Sequence, residues 1–340
     1  MRGPARLIGR IAGAIAPLLV AATLGACAPE LRPAGRPVAE PQLHDDAIIA
    51  PDGARLPLRV WEPEGEPRAI ILALHGFNDY STAFDLPARY WAEHGILTYA
   101  YDQRGFGATV TAGYWSGTST MIADLNVAAS LIRAKHKGTP LFLLGESMGG
   151  AVLAAAANPE LPPTEGVILV APAVRARATM NPFYETVLWL GSHIFPYLRL
   201  TAGQYARMPT DNIEVLRAMS EDPLVIKRTR VDAVWGLVDL MDHAFEKAPA
   251  IGAVPTLVVY GTSDEIVPRE PVDAFVARLP SRVPVAVYDG GYHMLLRDLN
   301  AKAVLDDVLA FIADPGARLA SHADGAGTAL FNRLDGPGFD

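Results

Sequence analysis

Hydrophobic and polar positions along the 340-residue chain alternate between two periods. Continuous apolar runs at residues 69–74, 96–101, 140–144, 166–171, 256–260 and 283–288 have the length of strands buried on both faces. Between them, residues about 81–94, 118–137, 148–157, 271–278 and 301–312 carry apolar positions at helical spacing. Strand and helix in turn predict an α/β fold with a mostly parallel central sheet flanked by helices. The pattern opens on a hairpin, residues 47–51 and 55–61 around the turn Asp52-Gly53. It is interrupted once, at about 174–249, by a helical stretch with few strand signals, which reads as a cap inserted over the strand ends.

The two ends of the chain do not follow this pattern. Arg2, Arg6 and Arg10 precede an apolar run at residues 11–24. That run is shorter than the roughly 20 apolar residues a spanning helix needs, so it reads as an export signal rather than a membrane span. It closes on Leu24-Gly25-Ala26-Cys27, which resembles the lipobox of bacterial lipoproteins. The resemblance implies a signal peptide over residues 1–26, lipidation of Cys27, and a membrane-anchored protein of the bacterial cell envelope. Cys27 is the only cysteine, which excludes an intramolecular disulfide and any CxxC metal or redox site. Pro29, Pro33, Pro37 and Pro41 then favour extended polyproline II, so residues 27–44 are expected to be a tether and residues 45–313 the globular domain. Residues 314–340, rich in Gly, Ala and Asp without periodicity, are expected to carry little order. A net charge of −8 gives no electrostatic footprint for nucleic acid.

Candidate chemistry collects at the ends of the apolar runs. Gly145-Glu146-Ser147-Met148-Gly149 stands between a strand and a helix, the setting a nucleophile elbow requires. Flanking glycines let the backbone turn sharply there and expose the serine oxygen. A serine hydroxyl is a weak nucleophile at neutral pH, so it needs a histidine base and an orienting carboxylate. In the α/β-hydrolase fold both come later in the chain. Asp264 follows the strand ending at Tyr260, and His293 follows the strand ending at Tyr288 in a glycine turn. Loops at the carboxyl ends of parallel strands share one sheet edge, so Ser147, Asp264 and His293 can meet. Glu265 and Asp289 are rivals to Asp264 for orienting the imidazole. His75-Gly76-Phe77 follows an early strand, where the fold places a backbone donor of an oxyanion hole; the N–H groups of Phe77 and Met148 are the candidates, and His75 is expected to brace the loop.

Together His75-Gly76-Phe77, Asp102-Gln103-Arg104-Gly105-Phe106-Gly107, Gly145-Glu146-Ser147-Met148-Gly149, Gly261-Thr262-Ser263-Asp264 and His293 resemble the monoacylglycerol lipase and lysophospholipase group of serine-aminopeptidase-like (S33) hydrolases. The resemblance covers about residues 45–313, with Phe77 standing where the group usually has a small residue. It implies the α/β-hydrolase fold with a helical cap, a cofactor-free serine esterase, and a small lipophilic ester such as a monoacylglycerol or lysophospholipid as substrate. It also implies the triad Ser147, Asp264 and His293, with the oxyanion hole at Phe77 and Met148. A thioesterase, an aminopeptidase, a cofactor-free haloperoxidase or a non-enzymatic lipid-binding lipoprotein are the other readings of the same residues. Within the cap, Phe183, Tyr184, Leu188, Trp189, Leu190, Ile194, Phe195, Tyr197 and Leu198 are dense enough to line an acyl pocket or to form the cap's own core.

Overall fold

The computed structural model describes residues 28–201 and 207–325. The export segment over residues 1–26 and Cys27 lie outside the described residues.

Among the described residues, eleven strands and eight α-helices follow in chain order. The strands are β1 (Gln42–Leu43), β2 (Ala47–Ile49), β3 (Arg55–Trp61), β4 (Ala69–Leu74), β5 (Ile96–Tyr101), β6 (Leu141–Glu146), β7 (Gly166–Val170), β8 (Arg199–Thr201), β9 (Arg228–Arg230), β10 (Thr256–Gly261) and β11 (Val285–Tyr288). The helices are α1 (Asp85–Glu93), α2 (Thr118–Lys135), α3 (Met148–Ala155), α4 (Pro182–Ile194), α5 (Ile213–Glu221), α6 (Val231–Lys247), α7 (Arg269–Val276) and α8 (Lys302–Ala313). Nine strands form one sheet in the order β1-β2-β3-β5-β4-β6-β7-β10-β11. The first three are antiparallel to their neighbours, the rest parallel. This is the mostly parallel α/β sheet that the alternating pattern predicts, in the α/β-hydrolase architecture that the resemblance implies.

Period-2 side-chain direction splits the strands between two cores. Ile70, Leu72, Leu74, Leu141 and Leu143 face the layer containing α2, α3 and α7. Ala69, Ile71, Ala73, Phe142 and Leu144 face the layer of α1 and α8. Both faces being covered, β4, β5, β6, β7 and β10 are buried at every position, which is why each reads as an unbroken apolar run.

Three expectations are corrected. The insertion is mainly helical (α4, α5, α6), but it also contains the two-stranded β8-β9 sheet, whose three-residue, arginine-bearing strands give no alternating apolar signal. The C-terminal segment is packed up to residue 325: Leu319 and Ala323 are buried in the core beside α8, and the Ser321 hydroxyl donates to Asp307. Residues 326–340 lie outside the described residues.

The third correction concerns the proline-spaced segment, which from Ala28 onward is a strap rather than a free tether. A polyproline II backbone makes no internal hydrogen bonds, so its N–H groups are available to the surface they cross. Glu30 N–H donates to Asp232 (3.3 Å) at the start of α6, and Arg32 N–H to the Trp115 carbonyl (2.8 Å). Ala34 N–H donates to Thr120, Gly35 N–H to Asp52 and Val38 N–H to the Pro51 carbonyl. Glu30 also pairs with Arg230 (3.2 Å), whose guanidinium lies 4.4 Å from the Tyr114 ring centre. The strap thus joins cap to body. A chain beginning at residue 45 is expected to unfold several degrees below one beginning at residue 28, since losing such partners of a buried arginine and backbone carbonyls costs about 1–3 kcal/mol. Equal melting temperatures in a thermal scan would show that the strap adds no stability.

Candidate active site

Ser147 sits at the sharp turn from β6 into α3, with φ 53° and ψ −113°, a region that side chains avoid. Neighbouring bonds hold it there: Ser147 N–H donates to the Val170 carbonyl (2.9 Å), and its own carbonyl accepts from Ala151 (3.0 Å) and Ala173 (2.9 Å). The flanking glycines are required by space rather than by φ. A Cβ at Gly149 would stand 2.0 Å from the Leu74 carbonyl oxygen, and one at Gly145 would stand 2.4 Å from the Gly149 backbone. The backbone crossing that tightens the turn is therefore open to glycine alone.

Asp264 follows β10 and His293 follows β11, as the order of elements requires. The Asp264 side chain is fully enclosed, and its Oδ1 accepts from the N–H groups of Ile266 (2.8 Å) and Val267 (2.9 Å). Its Oδ2 lies 2.7 Å from His293 Nδ1. A carboxylate only accepts, so Nδ1 carries the proton and Nε2 is left as the acceptor. The rivals do not reach the imidazole: Glu265 is exposed, and Asp289 is exposed and accepts from the Thr262 hydroxyl (3.1 Å).

The loop after β4 lies against the serine, for a Cβ on Gly76 would stand 3.4 Å from Ser147 Cβ. His75 is completely buried and braces this loop. Its Nε2 accepts from Gln103 N–H (2.9 Å), its Nδ1 donates to the Gly76 carbonyl (2.8 Å), and burial lowers its pKa, so the ring is neutral. Met148 opens α3, so its N–H has no carbonyl within the helix to pair with. Phe77 belongs to the same loop after β4 and lines the cavity with Ser147.

Ser147, His293, Gly76 and Phe77 line one cavity of about 770 Å³ under the cap, large enough for a drug-sized or lipid-sized molecule. The cap supplies apolar walls, chiefly Val234, Leu237, Val238 and Met241 of α6, with Met180 and Leu188. The cap aromatics divide otherwise than expected. Tyr184 and Leu188 reach the cavity, whereas Phe183, Trp189, Leu190, Ile194, Phe195, Tyr197 and Leu198 are 42–68% exposed and form neither a pocket wall nor a cap core. The wall residues of α6 have spacing i, i+3, i+4, i+7, a signal present in the sequence but indistinguishable there from ordinary core.

A second feature was invisible in the sequence. Glu146, inside the elbow, is buried and pairs with Arg297 (2.8 Å), which also pairs with Asp79 (2.8 Å). Burial pushes the Glu146 carboxyl above the usual range, while its two carboxylate partners keep Arg297 protonated. Among the described residues, no group of three or more His, Cys, Asp or Glu is arranged to hold a metal ion.

The family described as Serine aminopeptidase, S33, matches residues 65–300. A monoacylglycerol lipase of Mycolicibacterium smegmatis is 28% identical over 266 residues, covering 76% of this chain and 93% of that protein. The monoglyceride lipase of Homo sapiens is 26% identical over 266 residues, covering 74% of this chain and 84% of its own. The fold resembles that of a soluble variant of monoglyceride lipase from Saccharomyces cerevisiae, solved with a substrate analogue, at a TM-score of 0.66 and 20% identity over 85% of this chain and 99% of that one.

Proposed function

The chain belongs to the serine aminopeptidase S33 family and is an ester hydrolase, and we propose that it cleaves lipophilic acyl esters of the monoacylglycerol or lysophospholipid type through Ser147, His293 and Asp264. The observation that carries this reading is that Ser147 and the Asp264-bound His293 line one apolar-walled cavity. Ser147 Oγ attacks the ester carbonyl as His293 Nε2 takes its proton. The Phe77 and Met148 N–H groups stabilise the oxyanion, and Asp264 the imidazolium. His293 then protonates the leaving alcohol, and water, deprotonated by the same nitrogen, releases the acid. The test is a graded acyl-ester series run beside a peptide amide and a thioester, with fluorophosphonate labelling of Ser147. Preference for long acyl esters and labelling at Ser147 support the reading; turnover of the amide alone would replace it with an aminopeptidase.

We also propose that the protein is a lipoprotein anchored through Cys27, on the strength of its lipobox-like sequence. Acyl chains contribute about 0.8 kcal/mol per buried CH₂, so two or more hold a protein firmly. The strap changes the expected geometry. Glu30 touches the cap at Arg230 and Asp232, and three residues of chain span at most about 11 Å. The anchor therefore keeps the cap near the bilayer instead of spacing the domain from it. Cys27→Ser is expected to abolish lipidation and normal processing, leaving a precursor-sized chain that takes up no labelled palmitate; unchanged labelling and an unchanged mature size would reject the anchor.

A further inference from the structure

Six arginines among the described residues are not exposed: Arg104, Arg133, Arg175, Arg177, Arg230 and Arg297. Five of them form an ion pair with a carboxylate. Arg175 is the exception, with no ion pair, hydrogen bond or ring contact to any described residue, and it lines the cavity that holds Ser147 and His293. A partly buried arginine with no protein partner beside apolar walls leaves its charge to be met by water or by an anion that enters the cavity.

The backbone fixes its position. Ala173 N–H donates to the Ser147 carbonyl, and Arg175 stands two residues on, at most about 7 Å along the chain. Val174 and Ala176 on either side are buried, which pins the segment on both flanks. Arg177 just beyond is bound by Asp239 and Asp242 and stacks on Trp235, so it does not compete for the cavity.

The remaining charges around the cavity are Arg207, Arg297, Asp79 and Glu146. Arg297 is engaged by the two carboxylates. Arg207 gives one N–H to the Glu265 carbonyl (2.7 Å). Three arginines thus face two carboxylates, in a chain whose net charge is −8. The positive cavity is a local arrangement that runs against the charge of the whole protein.

We propose that Arg175 is an anion subsite for the alcohol portion of the substrate, so that the preferred ester carries a phosphate or carboxylate on its alcohol. The inference rests on the ester-hydrolase reading of Ser147. It follows from the chemistry of the two halves of such a substrate: an acyl chain is uncharged along its length, so the charge that Arg175 can meet belongs to the alcohol. A guanidinium presents paired N–H donors that match an oxyanion. A neutral monoacylglycerol would leave Arg175 as it stands.

The test measures kcat/KM on three oleoyl esters, of glycerol, of glycerol 3-phosphate and of lactate, for the wild type, Arg175→Gln and Arg175→Lys. The wild type should prefer an anionic ester over oleoylglycerol, and this ratio should fall about tenfold or more in Arg175→Gln, the loss of one charged hydrogen bond. Arg175→Lys should restore part of it, and the preference should weaken in high salt. The phosphate and lactate arms decide which anion is read. An unchanged ratio in Arg175→Gln, or a wild type that favours oleoylglycerol, overturns the subsite while leaving the hydrolase intact. A wild type inactive on all three esters overturns the proposed function together with it.

Discussion

Replacing Ser147 with alanine is expected to lower turnover on oleoylglycerol by on the order of 10⁶, because removing a triad serine removes the covalent path altogether. The folded state should persist. The bonds that hold the elbow run through the Ser147 backbone, to Val170, Ala151 and Ala173, and alanine keeps all of them. The same strained φ of 53° is imposed on either residue, so that cost does not change. Residual catalysis over water, about 10³–10⁴, would come from the oxyanion donors and substrate binding. Steady-state rates, a thermal scan and fluorophosphonate labelling check this together. A well-folded variant within tenfold of wild type would take the nucleophile's role from Ser147.

Asp264→Asn is expected to cost about 10⁴ in kcat, and the local geometry states why. Ile266 and Val267 both donate N–H groups toward Oδ1, so an amide at this position must turn its oxygen to them. Its NH₂ then faces His293 Nδ1, which has to accept instead of donate. The imidazole proton moves to Nε2, and the base that Ser147 needs is lost. Glu265→Gln and Asp289→Asn should stay close to wild type, since both side chains are exposed and away from the imidazole. If Glu265→Gln proved as damaging as Asp264→Asn, the assignment of the orienting acid would move.

Much of this arrangement is legible in the residues. Strands covered on both faces must be apolar throughout, so β4, β5, β6, β7 and β10 announce themselves as continuous runs, and their alternation with helices sets the sheet. The elbow is equally local, for a Cβ at Gly145 would stand 2.4 Å from the Gly149 backbone four residues on. Chain order then places Asp264 and His293 at one sheet edge. Choosing Asp264 over Glu265 and Asp289 took the fold, because only the turn after β10 decides which carboxylate points inward.

The sequence by itself determined the layers and pointed to Ser147 and His293 as candidates, since each rests on spacing along one element or on a turn of a few residues. Tertiary structure alone decided the rest. Whether an apolar cap residue faces the cavity, as Met241 does, or water, as Phe183 does, depends on how a helix sits on the body and not on its periodicity. The strap from Ala28 and the packed turn at Leu319 are held by single hydrogen bonds and isolated contacts, which repeat at no period and so leave no pattern to read. The same holds for Arg175: nothing in its neighbours along the chain reveals that, of the described arginines withdrawn from solvent, it is the one left facing the cavity without a carboxylate.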